Sequence, residues 1–453
     1  MELLELIKNK DYTAIFEALP EKKVEQAYYE EYLGDRKIRD NQVGYRVDRF
    51  TKSGKKVTRS RIAINFQKKI TRTACSFLFS NPPKKQSLPE SIDALTEFNQ
   101  SWKDARINNI LMPFAEAVKS ETEAAIAFFS VVREGEETKI KARLLSRANG
   151  NIYPVFDAYG DMKAFIWTYD DKEDDSVSYI HTWTAEKYIS IKKQGNSFEE
   201  VKNDVNEFGK IPIVYASQEF PEWWDVLDLI DSYENSHSKF VDTNGYFASP
   251  MYKAKGYVGK MPQQDEDGRM VKMDVVETDK GNVITADLDV LSWDRSPESL
   301  KMEFEQTYDL IHYISDTPDL SFNNLTGLGN VAENTMRLMF MSPIMKAKWS
   351  EPKFYTALER IASILKSGMV NITQKLTASE EEQLPIYFTF QSSLPQNIKD
   401  TIQSLVEATA GEAVMSQRTA LEMNPMVMDP ESEKEQIQEE ALERSRADLG
   451  MEN

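Results

Sequence analysis

The residues able to do acid–base, nucleophilic or metal chemistry are few and badly spaced. Three histidines and one cysteine are scattered over 453 residues, so no zinc site has a ligand set. His181 stands in a β-branched, aromatic run beside Thr182 and Trp183, and His237 in an amphipathic run; a lone imidazole in either place is a structural residue. Cys75 lies in the apolar stretch 74–79, the setting of an inert buried thiol, and a single cysteine excludes an internal disulfide framework. No G-x-S-x-G presents a nucleophilic serine. Gly327-Leu328-Gly329 lacks both the lysine of a phosphate loop and the third glycine of a dinucleotide loop. The 74 aspartates and glutamates guarantee chance carboxylate pairs, which therefore carry no information. No catalytic residue, cofactor or metal is expected, and no enzymatic activity.

Composition narrows the classes further. A chain of this length exceeds what one hydrophobic core usually serves, and 41% hydrophobic with 11% aromatic residues excludes global disorder. The formal net charge of −19 sets the mean field against phosphate backbones, so a sequence reader of DNA is excluded. Repulsion still has a use, because a wall past which a polyanion must slide should not hold it by counterion release. No stretch approaches the roughly 20 apolar residues of a membrane span, and the reading is a soluble protein made in a reducing cytoplasm.

The elements that would position any site follow in order. Residues 1–35 are helical and polar. Between 46 and 72, ten Lys and Arg face one acid, Asp48, and Ile62, Ile64, Phe66, Ile70 and Ala74 give this segment a helical period that ends at Asn81-Pro82-Pro83. A helix is predicted from 92 to about 120. The period then becomes that of strands: 125–132, 140–145, 152–156, 162–169, 177–183, 187–191 and 211–216, separated by Gly, Asn and Asp turns. Residues 223–247 are helical, 249–296 short-stranded, and 297–315 helical behind a first-turn proline, Pro297.

Thr317-Pro318 stops that helix, 319–330 carries turn chemistry, and Asn330 with Glu333 forms a capping box for a second helix. Pro343 and Pro352 fall inside its apolar pattern and predict a kink or a rebuilt turn. A strand at 384–391, a helix at 397–410, a short turn at 419–423 and an acidic tail from 429 complete the chain. The architecture read from the residues is α+β.

Four stretches, in order, resemble the portal proteins of tailed bacteriophages, of the long-tailed-phage type. Asn65-Phe66-Gln67-Lys68-Lys69-Ile70, continuing to Phe77-Leu78-Phe79-Ser80-Asn81-Pro82, is similar to that family's amino-terminal signature, with Ser80 in place of the usual glycine. Ile152-Tyr153-Pro154-Val155-Phe156-Asp157 with Phe165-Ile166-Trp167 resembles the paired wing strands. Phe208-Gly209-Lys210-Ile211-Pro212-Ile213-Val214, followed by Leu227-Asp228-Leu229-Ile230-Asp231-Ser232-Tyr233, resembles the entry to the first stem helix. Thr317-Pro318-Asp319-Leu320, with Gly329-Asn330-Val331-Ala332, resembles the surroundings of the tunnel loop.

The resemblance implies a portal fold: N-terminal helices and a strand-rich wing (1–222), stem helices (223–248 and 297–316), a β-rich clip (249–296) and a tunnel loop (317–331). A kinked helix with a wing strand (332–396) and a short helical crown with the acidic tail (397–453) follow. It implies a ring, usually of twelve subunits, at one capsid vertex of the virion, assembled in the host cytoplasm. Its partners would be the terminase packaging motor, capsid and head–tail adaptor proteins, and double-stranded DNA passing without sequence specificity.

Within such a ring the expected channel lining is Glu298, Glu305 and Asp309 from the stem and Asn323, Asn324 and Thr326 from the loop. A ring of acidic bodies needs positive charge at its seams, which points to Arg59 and Arg61 as subunit-interface residues. The competing readings are a hydrolase built on the strand-rich body at 125–216, with carboxylates as acid and base, and a monomeric adaptor binding partners through its tail.

Overall fold

The computed structural model describes residues 2–40, 46–50, 54, 56–87, 92–132, 135, 137–247, 251–255, 276–277, 283–284, 287–291, 297–319, 338–391, 398–410, 413–424, 426–427 and 430–448. The chain divides into two units, residues 1–319 with 342–392, and residues 320–341 with 393–453.

The first unit is layered, and β4 (Glu123–Val131) shows why. Its residues are small and apolar on both faces, and strand alternation sends them two ways. Ala124, Ile126 and Phe128 join a core with α4 (Phe66–Phe79), α5 (Ile92–Asp104), α6 (Ile107–Glu121) and the long α9 (Met341–Asn371). Ala125, Ala127 and Phe129 face the other way, onto Phe165, Trp167 and Trp183. β4 is the middle of a three-stranded antiparallel sheet, flanked by β5 (Lys139–Leu145) and β11 (Ile213–Ser217).

The aromatic residues it meets belong to a five-stranded meander. This runs β6 (Asn151–Phe156), β7 (Met162–Asp170), β8 (Val177–Trp183), β9 (Lys187–Gln194) and β10 (Ser197–Val205). Its far face, with Ile166, Ile180 and Ile191, is covered by Ile7 and Ile15 of α1 (Glu2–Asn9) and α2 (Tyr12–Ala18). Helix, five strands, three strands and helices are thus stacked with apolar contact at each boundary. Gly368 of α9 marks the tightest place, since a Cβ there would lie 2.6 Å from Ile140 Cδ1.

Four expectations are corrected. The 92–120 helix is two helices, because Arg106 adopts φ 55° and turns the chain between α5 and α6. Ile62 and Ile64 are not helical: α4 begins at Phe66, where the Asn65 side chain accepts from the Lys68 N–H. β10 is a strand absent from the sequence reading, and residues 419–423 belong to a full helix, α12 (Gln417–Met423).

The two prolines are placed differently. Residues 338–339 are helical, Phe340 is a turn, and α9 restarts at Met341. Pro343 then sits in the first turn, where its missing N–H costs nothing, while its ring excludes the carbonyl four residues back, at Met339. Pro352 lies inside α9.

The region expected to be the clip is described in part: β12 (Met251–Lys255) pairs antiparallel with β15 (Asp287–Leu291), and β13 (Val276–Glu277) with β14 (Val283–Ile284). In the second unit, α11 (Ile398–Thr409), α12 and α13 (Pro430–Asp448) are helical, α13 carrying most of the acidic tail. No helix among the described residues is long and apolar enough to cross a membrane.

Candidate functional site: an acidic helix face and its supports

The candidate lining residues lie on α8 (Pro297–Ile314), which packs antiparallel on α7 (Leu227–Phe247). The seam between them is aromatic. Tyr233 meets Tyr308 and Phe304, and Phe240 meets Phe304 further along, with ring centroids 5.7 to 6.4 Å apart. Residues 304, 308 and 311 recur at helical spacing and turn one face of α8 inward, with Ile311 fully buried. A second face, about 110° around the helix, is exposed and acidic. At about 100° per residue, Glu298, Glu305 and Asp309 fall within about 40° of one another on the wheel, and all three are exposed. Lys301 reaches Glu305 at 3.5 Å, an exposed pair too weak to hold either side chain. Met302 and Tyr313 are exposed beside the acids. The structure thus places Glu298, Glu305 and Asp309 on one open face. Asn323, Asn324, Thr326 and the capping box at Asn330 lie outside the described residues.

What holds α7 in place was not read from the sequence. The arm preceding α4 runs extended along α7, antiparallel to it. Alternate backbone N–H groups, of Ser60, Ile62 and Ile64, donate to Asp242 Oδ1 at 2.8 Å, Ser238 Oγ at 3.0 Å and Glu234 Oε1 at 2.7 Å. Two residues of extended chain rise about 6.6 Å and four residues of helix about 6.0 Å, so every second amide meets every fourth side chain. The visible signals were the polar stripe Glu234, Ser238, Asp242 at i, i+4, i+8 and the alternation around Ile62 and Ile64.

This arm also consumes the basic run. Arg46 is buried, ion-paired to Asp242 and bonded through Nε to Ser60 O. Arg61 pairs with Asp48 at 2.6 Å and donates to Arg46 O. Arg59 gives its backbone N–H to Asp48. Much of the positive charge therefore neutralises the chain's own acids. Arg36, nearly inaccessible, likewise gathers Glu31, Asp231 and Glu234, joining the chain after α3 (Lys23–Leu33) to α7. Burial raises the pKa of Glu234 against the pull of Arg36.

A second buried hub fixes both flanks of the segment 317–341. Glu222 accepts from Lys119 of α6 at 2.9 Å and pairs with Lys346 of α9 at 2.8 Å. Lys119 also reaches Ser350, and Lys346 donates to Ser315 O at 2.7 Å, just past the end of α8. Ser342 bonds to Asp316. Burial alone would raise the Glu222 pKa, but the two ammonium groups outweigh it and hold it below the usual carboxylate value. The end of α8 and the start of α9 are thereby clamped together whatever lies between.

None of the histidines or the cysteine is arranged for catalysis. His181 is half-buried among aromatic rings, its Nδ1 2.8 Å from Tyr188 Oη, and desolvation lowers its pKa to about 4. His312 bonds through Nδ1 to Tyr308 O and meets Lys69 Nζ at Nε2, an arrangement that suits the neutral ring. Cys75 is buried and its thiol is pushed up to about 12, which leaves no thiolate at neutral pH. Among the described residues no three His, Cys, Asp or Glu side chains converge as a metal site.

A layered body, an antiparallel helix pair with one acidic face, and a clamp that joins the end of α8 to the start of α9 accompany a match along almost the whole chain. Residues 21–447 match the family model described as phage portal protein, SPP1 Gp6-like, and the chain belongs to that family. The portal protein of Bacillus phage SPP1 is 28% identical over 238 residues, a stretch covering 51% of this chain and 45% of that protein. The chain thus matches less than half the length of that relative. Two solved structures are weakly similar, each with a TM-score of 0.39, too low to carry a fold argument. They are the neck of a native gene transfer agent (GTA) particle computed with C12 symmetry and the virion of the native particle, at 10% and 9% identity, covering 80% and 78% of this chain and 88% and 87% of theirs.

Proposed function

We propose that this chain is the subunit of a portal ring. Copies close head to tail at one capsid vertex of the virion, and double-stranded DNA passes through the ring during packaging and ejection. The family match over residues 21–447 carries this reading. In it the four-layer body is the wing, α7 and α8 the stem, 249–296 the clip, 317–331 the tunnel loop, 332–396 the helix and strand returning to the wing, and 397–453 the crown and tail. Glu298, Glu305 and Asp309 line the channel with Asn323, Asn324 and Thr326. Repeated around an axis, their exposed acids repel DNA at every angle and leave no register in which it sticks. The ring performs no chemistry itself; a terminase motor drives the DNA, and capsid and head–tail adaptor proteins hold the ring. Arg59, whose guanidinium is not part of the Asp48 contact, meets the neighbouring subunit, with Arg61 positioned behind it. Assembly takes place in the host cytoplasm. No observation favours the hydrolase.

Native mass spectrometry and negative-stain imaging of the purified full chain test the reading. Closed rings are expected; a stable monomer at micromolar concentration across low and high salt would overturn it.

A further inference from the structure

The first unit contains a cleft of about 1290 Å3 between the two sheets, walled by α1 on one side and α9 on another. Every residue of β11, Ile213 to Ser217, lines it. That strand is an edge, paired among the described residues only with β4. The register says which of its backbone groups are used. Phe128 N–H donates to Pro212 O and Gln218 N–H to Thr122 O, so the even-numbered residues face β4. Antiparallel alternation then turns the N–H and C=O of Ile213, Tyr215 and Ser217 the other way, toward the cleft. Among the described residues none of these outward backbone groups has a hydrogen-bond partner, although Ile213 is buried. Upstream the row is closed, because Arg360 donates to Ile211 O at 2.9 Å.

The charge of the cleft is opposite to that of the chain. Seven Lys or Arg line it against two carboxylates, Asp161 and Glu186, in a protein of net charge −19. Three of the cations are engaged: Lys10 with Glu200, Lys163 with Asp157 and Asp161, and Lys210 with Glu381. Lys8, Lys187 and Lys353 form no ion pair among the described residues. A free strand edge that would otherwise invite indiscriminate pairing is thus set among cations that select the charge of what pairs with it.

We propose that this cleft takes an extended acidic peptide segment of another polypeptide, added to the edge of β11 as a fourth strand. Backbone pairing to Ile213, Tyr215 and Ser217 supplies affinity, and Lys8, Lys187 and Lys353 supply selection for Asp and Glu at alternate positions. Five extended residues span about 17 Å, which matches the length of β11. A lone strand fits a cleft; the edge of a folded sheet, with its neighbours attached, does not. The proposal is independent of the portal reading.

The test is fluorescence anisotropy of the full-length protein with a labelled octapeptide of alternating Glu and Val. Saturable binding is expected, at least tenfold weaker for the same peptide N-methylated at alternate amides, and at least tenfold weaker for a Lys–Val peptide. Lys187→Glu should weaken the Glu–Val peptide tenfold. Ser217→Pro, which deletes an outward N–H and spares the pairing with β4, should weaken it without changing the circular dichroism spectrum. Undiminished binding of the N-methylated peptide would overturn strand addition, and undiminished binding of the Lys–Val peptide would overturn charge selection. Displacement by oligo-dT would reassign the cleft to nucleic acid. Loss of binding on oligomerisation would reassign it to a second copy of the chain. The two peptide controls need no variant, so a misfolded mutant cannot rescue the idea.

Discussion

The Ile62 amide donates to Ser238 Oγ at 3.0 Å, with Ser238 fully buried in the middle of α7. It is the central rung of the contact that ties the arm to the helix, and it contains no charge. Ser238→Ala leaves that N–H without a partner in a tight seam, and a loss of about 1–3 kcal/mol is expected. Urea denaturation measures it; a change under 0.3 kcal/mol would mean that the flanking rungs alone hold the arm.

Glu121 should set a pH dependence of its own. Burial raises its pKa from 4.5 to about 7, while Arg147 N–H donates to its Oε2. A raised carboxylate holds an extra proton in the folded state between these two values, so its contribution to stability falls as pH rises from 4.5 to 7. Above pH 7 the cost is about 3 kcal/mol, and below pH 4.5 it vanishes. Glu121→Gln keeps an acceptor for Arg147 and should raise the melting temperature at pH 8 while leaving it unchanged near pH 4.5. Equal gains at both pH values would contradict this.

Glu222 should behave with the opposite sign. Its pKa is lowered in the folded state, so its stabilisation is present above the unfolded value and fades as pH falls. Glu222→Gln strands Lys119 as a buried ammonium group and deprives the half-buried Lys346 of its carboxylate, and should cost about 3–5 kcal/mol at pH 7, less at pH 4. Calorimetry at the two pH values checks both the size and the trend.

The acids of α8 should be dispensable for folding. Glu298→Gln, Glu305→Gln and Asp309→Asn together are expected to change stability by no more than about 0.5 kcal/mol. They should, however, increase retention of double-stranded DNA by assembled rings at low salt. Unchanged DNA retention in rings would remove these residues from the lining.

Gly368→Ala opposes two effects. Alanine favours a helix interior over glycine by about 1 kcal/mol, but the new methyl would press on Ile140 and on the Phe208 ring at 2.9 Å. Overpacking of about 1–3 kcal/mol should win, giving a net loss. A raised melting temperature would show that Ile140 and Phe208 can step aside.

Strands with alternating or wholly apolar residues were legible: β4, β7 and β8 lie where Ala, Ile, Phe and Trp recur at period two. β10 was missed because Glu199, Glu200, Lys202 and Asp204 break any apolar alternation and leave Phe198 as its one core contact; the rest of it is exposed. The two-residue Gly195-Asn196 turn, with Gly195 at φ 58°, is the signal that predicts its pairing with β9. Helices α7 and α8 and the acidic face of α8 were legible because Phe304, Tyr308 and Ile311 at i, i+4 and i+7 fix which side is inward. The Glu222 hub was not, since its members come from distant parts of the chain and a lone glutamate before Trp223 has no local signature. Ile62 and Ile64 misled in a specific way: i, i+2 spacing followed by a helix at Phe66 reads as one helical stripe, and only the acceptors on α7 separate the two.

The pairing of an extended arm with a helix obeys an unequal pair of rulers. Each rung advances about 6.6 Å on the arm and about 6.0 Å on α7, so the two scales drift by roughly 0.6 Å per step. With the middle rung aligned, the outer two are displaced by only about 0.6 Å each, which a hydrogen bond absorbs. The arm is therefore a vernier that reads true over its three marks, Ser60, Ile62 and Ile64. Its register is strict in another sense, because inserting a single residue between the marks would turn every later amide to the wrong side.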